Sequence, residues 1–327
     1  MQGPFFDKNL SADGAHSCAS CHMPSQAWSS DQLSVGKLTR AVPSLYGAAD
    51  KQYFFWDGRA ASLEAQVMEV LENPAEMNSS RLLVARYALD NGRPIASCRP
   101  TTHGLADELT SLAPSQLTAS ESRRLYLGLD LESRSEVDKS FACVAHLIAD
   151  YVRSIPIPRT VWTSAPKRKN DIDPSVWRGA VVFAGKGRCA TCHYGQSFSD
   201  GQFHNIGIAN VNEVDISDPG RFSAVQSMRQ NEYNLLAKTY YPSRVAETEF
   251  NVSEEMWGAF KTPSLIGLSK RHKFMHNGRF GSIGEVVDYY DTLKLAVVPT
   301  HHYVGLLSPL NLSQEERADL IAFLNSL

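Results

Sequence analysis

Two five-residue runs carry the most specific chemistry in this chain: Cys18-Ala19-Ser20-Cys21-His22 and Cys189-Ala190-Thr191-Cys192-His193. In a Cys-x-x-Cys-His run the two thiols are spaced to form thioethers with the vinyl groups of a haem, and the adjacent imidazole reaches the iron from the proximal side. A zinc knuckle would need four ligands closed around one metal, and a thioredoxin-type pair requires neither the His nor the duplication. The runs therefore predict two covalently bound haem c groups, held at Cys18, Cys21, Cys189 and Cys192 with His22 and His193 as proximal ligands. Covalent attachment of this kind takes place outside the bacterial cytoplasm, so the expected location is the periplasm. Met1-Gln2-Gly3-Pro4 has no charged segment followed by an apolar one, and on the strength of the haem motifs the chain is expected to be a mature form carrying a start Met in place of an export signal. Of six cysteines, Cys98 and Cys143 are left over. In an oxidising compartment they are a candidate disulfide; in a reducing one, two buried thiols.

The elements that must position these motifs follow the same plan twice. A length of 327 residues suits two domains of common size. Each motif sits early in its half, and each half closes on an amphipathic helical pattern, over residues 141–155 and 313–327. In the second, Ser313 and Glu316 form a capping-box pattern, and Leu320, Ile321 and Leu324 recur at helical spacing. Between them Pro156-Ile157-Pro158 and a charged stretch from Lys167 to Pro174 read as a linker, which predicts domains 1–165 and 166–327. Strand-type alternation is scarce, so the expected class is mainly α: two cytochrome c-like haem domains with long loops around the cofactors. A formal charge of -3 and a pI near 6.4 give no basic footprint for nucleic acid. No apolar run is long enough to predict membrane insertion. The expected partners are a small molecule and a protein.

Two haems alone would serve plain electron transfer, so the sixth ligands decide the function. Met raises a haem's potential and suits a carrier; an anionic oxygen such as that of Tyr lowers it and favours high iron oxidation states; an open site admits peroxide.

From Phe55-Trp56-Asp57-Gly58-Arg59-Ala60 onward the chain resembles the bacterial di-haem cytochrome c peroxidase and MauG family. The resemblance continues through Asn73-Pro74-Ala75-Glu76-Met77, Phe203-His204-Asn205-Ile206-Gly207, Lys261-Thr262-Pro263-Ser264-Leu265 and Met275-His276-Asn277-Gly278, in the family's order around both motifs. It implies that the N-terminal haem, on His22, is the peroxide-reactive one, in a high-spin state, and that the C-terminal haem, on His193, is low-spin. It also implies that Gln66 and Glu76 are the distal-pocket pair and that Trp56 lies between the haems as an electron or hole relay. Chemistry agrees on Glu76, since splitting an O–O bond needs a group that moves a proton from one oxygen to the other. The family's distal proline falls at Val70. Aligned on His276-Asn277-Gly278, the family's sixth ligand to the second haem falls at Tyr290; peroxidases of the family have Met there and MauG has Tyr, so the resemblance is to the MauG-like branch, which includes MbnH-like proteins. Ser282 and Glu285 predict a helix on which Ile283, Val286, Val287 and Tyr290 share one face, with Tyr289 on another. The rival ligands are Met275 and Met256.

Three departures bear on function. Between Met23 and Phe55 there is no His, whereas peroxidases of the family place an inhibitory one there, so the first haem is expected to be open at rest. Ala41 stands where the family's calcium site uses an Asn, which leaves calcium doubtful. Gly187 stands where the MauG-like branch has a surface tryptophan, so any exit route for oxidising equivalents must differ. The resemblance implies a periplasmic enzyme that uses hydrogen peroxide to oxidise a tryptophan or similar residue of a partner protein. The alternative is a cytochrome c peroxidase fed by a small cytochrome or cupredoxin, and the third reading is an electron carrier without catalysis, which an open haem disfavours.

Overall fold

The computed structural model describes residues 3–31, 40–92, 94–112, 119–164, 172–209, 216–297 and 307–327. The boundary expected near residue 165 and the charged part of the expected linker, residues 165–171, lie outside the described residues, as does part of the loop between Met23 and Phe55. Among the described residues the chain is mainly helical, as expected. The helices are α1 (Cys18–Cys21), α2 (Leu63–Glu72), α3 (Arg81–Asp90), α4 (His103–Ser111), α5 (Ala119–Gly128), α6 (Leu131–Arg153), α7 (Pro174–Ala184), α8 (Arg221–Met228), α9 (Glu232–Tyr240), α10 (Ile283–Thr292) and α11 (Gln314–Asn325). Two-residue strands, β1 (Phe203–His204) and β2 (Phe260–Lys261), pair antiparallel. No described helix is long and apolar enough to cross a membrane.

Polar caps start most of these helices. Ser62, Ser80, Asp130 and Ser282 accept backbone N–H bonds from Ala65, Leu83, Ser133 and Glu285, and Ser313 with Glu316 forms the expected reciprocal box on α11. Each such cap is worth roughly 1 kcal/mol. Helix α6 begins ten residues before the expected start at 141. Its first turns are charged and carry little apolar periodicity, but the Asp130 cap nucleates them, and Val137 is already buried against Leu82, Leu105 and Leu109.

The larger core packs α2 against α6, with Phe5, Leu10, Met68, Leu71, Phe141 and Ile148 fully buried. Ala237 of α9 and Ile266 join it from the C-terminal half. Asn234 of α9 tightens that contact, accepting from the Ala61 N–H at 2.8 Å and donating to the Arg59 carbonyl at 3.0 Å. The second core packs α7 against α11 around Phe183, Leu320, Phe323 and Leu324. Gly179 makes that approach possible, since a Cβ there would sit 1.9 Å from the Asp319 carbonyl oxygen.

The halves repeat in detail. Pro43-Ser44-Leu45, Gly47, Phe54, Gly58, Arg59 and Ser62 recur 220 residues later as Pro263-Ser264-Leu265, Gly267, Phe274, Gly278, Arg279 and Ser282. The hydrogen bonds recur with them: Ser44 Oγ donates to Ala27 O at 2.6 Å and Ser264 Oγ to Ser197 O at 2.8 Å. Bridges pair Phe54 with Ala60 and Phe274 with Phe280. Helices α2 and α10 are therefore counterparts, and Tyr290 occupies in the second half the position that Val70 holds in the first.

Cys98 and Cys143 form a disulfide that ties the turn Ile95–Cys98 to α6 across 45 residues. A loop of that size removes about 4 kcal/mol of unfolded-chain entropy. The paired substitution Cys98→Ser with Cys143→Ser is therefore expected to lower the melting temperature by several degrees. Labelling of the denatured, unreduced parent should find neither cysteine free, and two free thiols would contradict the bond.

Candidate functional site

A cavity of about 1200 Å³ is lined by both motifs. It exceeds the roughly 300–1,000 Å³ of a single small-molecule pocket, so it has room for more than one large group. Its wall is largely apolar, including Leu63, Val67 and Leu71 of α2 and Ile283, Val286 and Val287 of α10.

Cys18, Cys21 and His22 line this cavity, and so do Cys189, Cys192 and His193. Each imidazole is held in the same way. His22 Nδ1 lies 2.9 Å from the Trp28 carbonyl and His193 Nδ1 2.9 Å from the Phe198 carbonyl. A carbonyl can only accept, so Nδ1 carries the proton in both rings and Nε2 keeps its lone pair for a metal. Burial holds both imidazoles below the ordinary His range, which keeps them neutral. Trp28 and Phe198 achieve this from left-handed backbone, at φ 56° and 50°, a conformation that costs such residues about 1–3 kcal/mol. Burial also pushes the thiols up, Cys18 to about 12 and Cys189 to about 11.

Trp56 lines the cavity and is tied to both halves. Its indole N–H donates to the Ala41 carbonyl at 2.8 Å, and its own carbonyl accepts from the Lys261 N–H of β2 at 2.8 Å. The Ala41 N–H in turn donates to the His276 carbonyl at 2.7 Å. Beside this strap Arg40 donates to Asp57 at 2.5 Å and to Asp218 at 2.8 and 2.9 Å, joining the halves by charge. His276 stacks on Phe260 at 3.6 Å between ring centres, and burial pushes it down to about 4.

Gln66 and Glu76 both face the cavity, and so does Val70 at the position of the family's proline. Helix α2 is locked in register by Glu64, a fully buried carboxylate that accepts from His146 at 2.9 Å and from Arg153 at 2.7 and 2.8 Å. Glu76 accepts from Asn73 at 2.9 Å. Burial raises its carboxyl to about 7, although the Arg59 guanidinium pulls the other way. A carboxyl balanced near neutrality suits proton transfer in either direction.

Tyr290 lines the cavity from α10, and burial holds its hydroxyl well above the ordinary phenol range, with Tyr289 and both second-motif thiols adding to the effect. Tyr289, on a different face from Tyr290, is buried as well. It is 3% exposed, packs on Phe280 and donates to the Ile206 carbonyl. The segment through Ile206 and Gly207 covers that side of α10, so the helix is buried on two sides rather than one. Met275 lines the cavity from left-handed backbone at φ 68°, as does its repeat counterpart Phe55 at φ 63°. Met256 does not line it; it packs near Val225 and Met228.

Three half-buried cations stand on the wall, to none of which the sequence assigns a role: Lys51, Lys261 and Arg271. Burial pushes Lys51 down to about 8, Arg271 to about 10 and Lys261 well below its ordinary value. Arg271 Nε is buried without a hydrogen-bond partner. Cations cost several kcal/mol to bury unless an anion faces them. Two propionate-bearing haems would supply such anions, so the wall fits the group that the motifs imply. The signal was present in the repeat, which aligns Lys51 with Arg271.

Comparisons with known proteins agree with this geometry. The family model described as di-haem cytochrome c peroxidase matches residues 4–92. The chain is 29% identical to the methylamine utilization protein MauG of Methylorubrum extorquens, over 99% of this chain and 75% of that one. It is 26% identical to the cytochrome-c peroxidase IdrP1 of a Pseudomonas species, over 99% and 78%. In fold it is similar to the diheme peroxidase BthA from Burkholderia thailandensis, with a TM-score of 0.67 at 21% identity, covering 99% of this chain and 84% of that one. With both Cys-x-x-Cys-His motifs on one cavity wall, the chain is similar over 99% of its length to MauG and cytochrome-c peroxidase relatives, and its first quarter matches the di-haem cytochrome c peroxidase model.

Proposed function

We propose that this protein is a periplasmic enzyme that draws oxidising equivalents from hydrogen peroxide and passes them to a tryptophan or similar residue of a partner protein. Two covalent haem c groups would supply the redox chemistry, held by Cys18, Cys21 and His22 and by Cys189, Cys192 and His193. The observation that carries this reading is the pairing of unlike walls in one cavity. Gln66 and the proton-balanced Glu76 belong to the His22 half, and the phenol of Tyr290 to the His193 half. Trp56 is bonded to both. In this reading Glu76 would move the proton that O–O cleavage requires, Gln66 would orient the peroxide by hydrogen bonding, Trp56 would relay charge, and Tyr290 would hold the second haem. The cationic wall of Lys51, Lys261 and Arg271 would face the haem carboxylates.

The alternative, a cytochrome c peroxidase fed by a small donor protein, is favoured by one observation: Met275 also lines the cavity. Spin state separates an open first haem from a closed one. Because no His occurs between Met23 and Phe55, the isolated oxidised protein should give one high-spin and one low-spin EPR signal. A spectrum with low-spin signals alone would overturn the open site.

A further inference from the structure

We propose that the stacked pair Trp162 and Trp177 is the exit station from which oxidising equivalents leave the His193 half for the partner. The proposal rests on the function proposed above and deepens it. Gly187, two residues before Cys189, offers no side chain for the task, so the surrounding aromatic packing must be followed outward instead. From His193 the path begins at the bond between Nδ1 and the Phe198 carbonyl. The Phe198 ring lies 6.3 Å from Phe323 and 6.2 Å from Phe183, and those two lie 4.9 Å apart. Trp162 stands edge-on to Phe323 at 4.9 Å. It then lies nearly parallel to Trp177, 22° between planes and 6.4 Å between ring centres.

Phenyl rings are too hard to oxidise to hold a hole, so the three phenylalanines act as densely packed medium and the indoles as the first places where a hole can rest. Two neighbouring indoles give a hole two successive places to rest on its way outward. Ser326 fixes Trp162 by accepting its N–H at 2.7 Å. Both indoles are half-buried. Trp177 lies one turn from Val181 on α7, and Val181 is 59% exposed, so the pair ends at the surface. The aromatic group on the other proximal side, Trp28 with Phe5, Phe6 and Tyr151, lacks a parallel pair of indoles; Trp28 meets Tyr151 at 66°.

The electrons balance as follows. Each hydrogen peroxide takes up two electrons and two protons to give two waters. One electron at a time passes from the indole pair to the oxidised haem pair, and each hole is filled by one electron from the partner's side chain, whose protons go to solvent.

The test uses the two-haem protein and hydrogen peroxide alone, with no partner. Repeated additions should leave oxygenated tryptophan at Trp162 or Trp177 in a peptide map, and a nitroso spin trap should label the same peptides. The double variant Trp162→Phe with Trp177→Phe keeps the aromatic packing. It should hold the same haem content and react with peroxide at the parental rate, while its oxidised haem spectrum returns to rest more slowly, having lost a route of self-oxidation. Oxidation confined to Trp28, Tyr151 or Trp56, or unchanged decay in the double variant, would overturn the exit station alone. A parent protein whose haem spectrum does not respond to peroxide would overturn the proposed function and the exit station with it.

Discussion

Glu76→Gln is expected to slow the reaction with hydrogen peroxide by about 10²–10⁴-fold, the usual worth of a positioned acid–base group. The amide is nearly the same shape and can keep its bond to Asn73, so pocket and haem content should survive while proton transfer is lost. The pH dependence gives a second, independent reading. Burial raises the Glu76 carboxyl to about 7, and the group must be ionised to take the first proton from peroxide. The parental rate should therefore rise with pH through about 7 and level off above it, and the variant should be flat across that range. Stability should move in the opposite sense. A folded-state value above the ordinary 4.5 means that ionising Glu76 costs the folded protein stability above about 7, a cost the variant does not carry and one that vanishes below 4.5. Stopped-flow mixing across pH 5–9 measures the first effect, and an undiminished rate in the variant would move the proton-transfer role away from Glu76.

Tyr290→His is expected to leave haem content intact and abolish oxidation of the partner. The Tyr290 hydroxyl sits where burial strongly disfavours its anion, so a phenolate forms only if a cation lies against it. Held against a haem iron, such a phenolate would donate charge and favour the oxidised metal, the chemistry that a slow reaction with a docked protein would need. A neutral imidazole favours the oxidised metal less. The same ligand assignment predicts that the resting protein lacks the weak far-red sulfur-to-iron band of a His–Met haem, and that Tyr290→Met introduces it. A clear far-red band in the parent, or full activity of Tyr290→His, would transfer the ligand to Met275 and favour the ordinary peroxidase.

What was legible beforehand was whatever local spacing determines. The Cys-x-x-Cys-His runs, the Ser313–Glu316 box and the Ser282 cap depend on residues three or four apart, and each has its expected local form. The helical pattern puts Tyr289 on a different face from Tyr290, beside the charged Glu285 and Asp288. What buries it is the Ile206–Gly207 segment, more than eighty residues away in sequence. The start of α6 was placed late for a related reason: its first turns are set by the Asp130 cap and by contact with α3 and α4, and show little stripe of their own. Nothing local marks Lys51, Lys261 and Arg271 as a group, because only the fold brings them to one wall. Gln66, Glu76, Trp56 and Tyr290 were chosen from resemblance, and all four lie on the cavity.

The 220-residue repeat has a consequence for descent. Two stretches that keep the same left-handed turns, the same serine bonds and the same helix cap have the form expected of an internal duplication. Among the paired positions that differ and line the cavity are Phe55 with Met275, Trp56 with His276, Gln66 with Val286, and Val70 with Tyr290. Each half is thus the natural control for the other. Exchanging the residues of one pair at a time, beginning with Val70→Tyr, asks how few changes separated a reactive pocket from a closed one after the duplication.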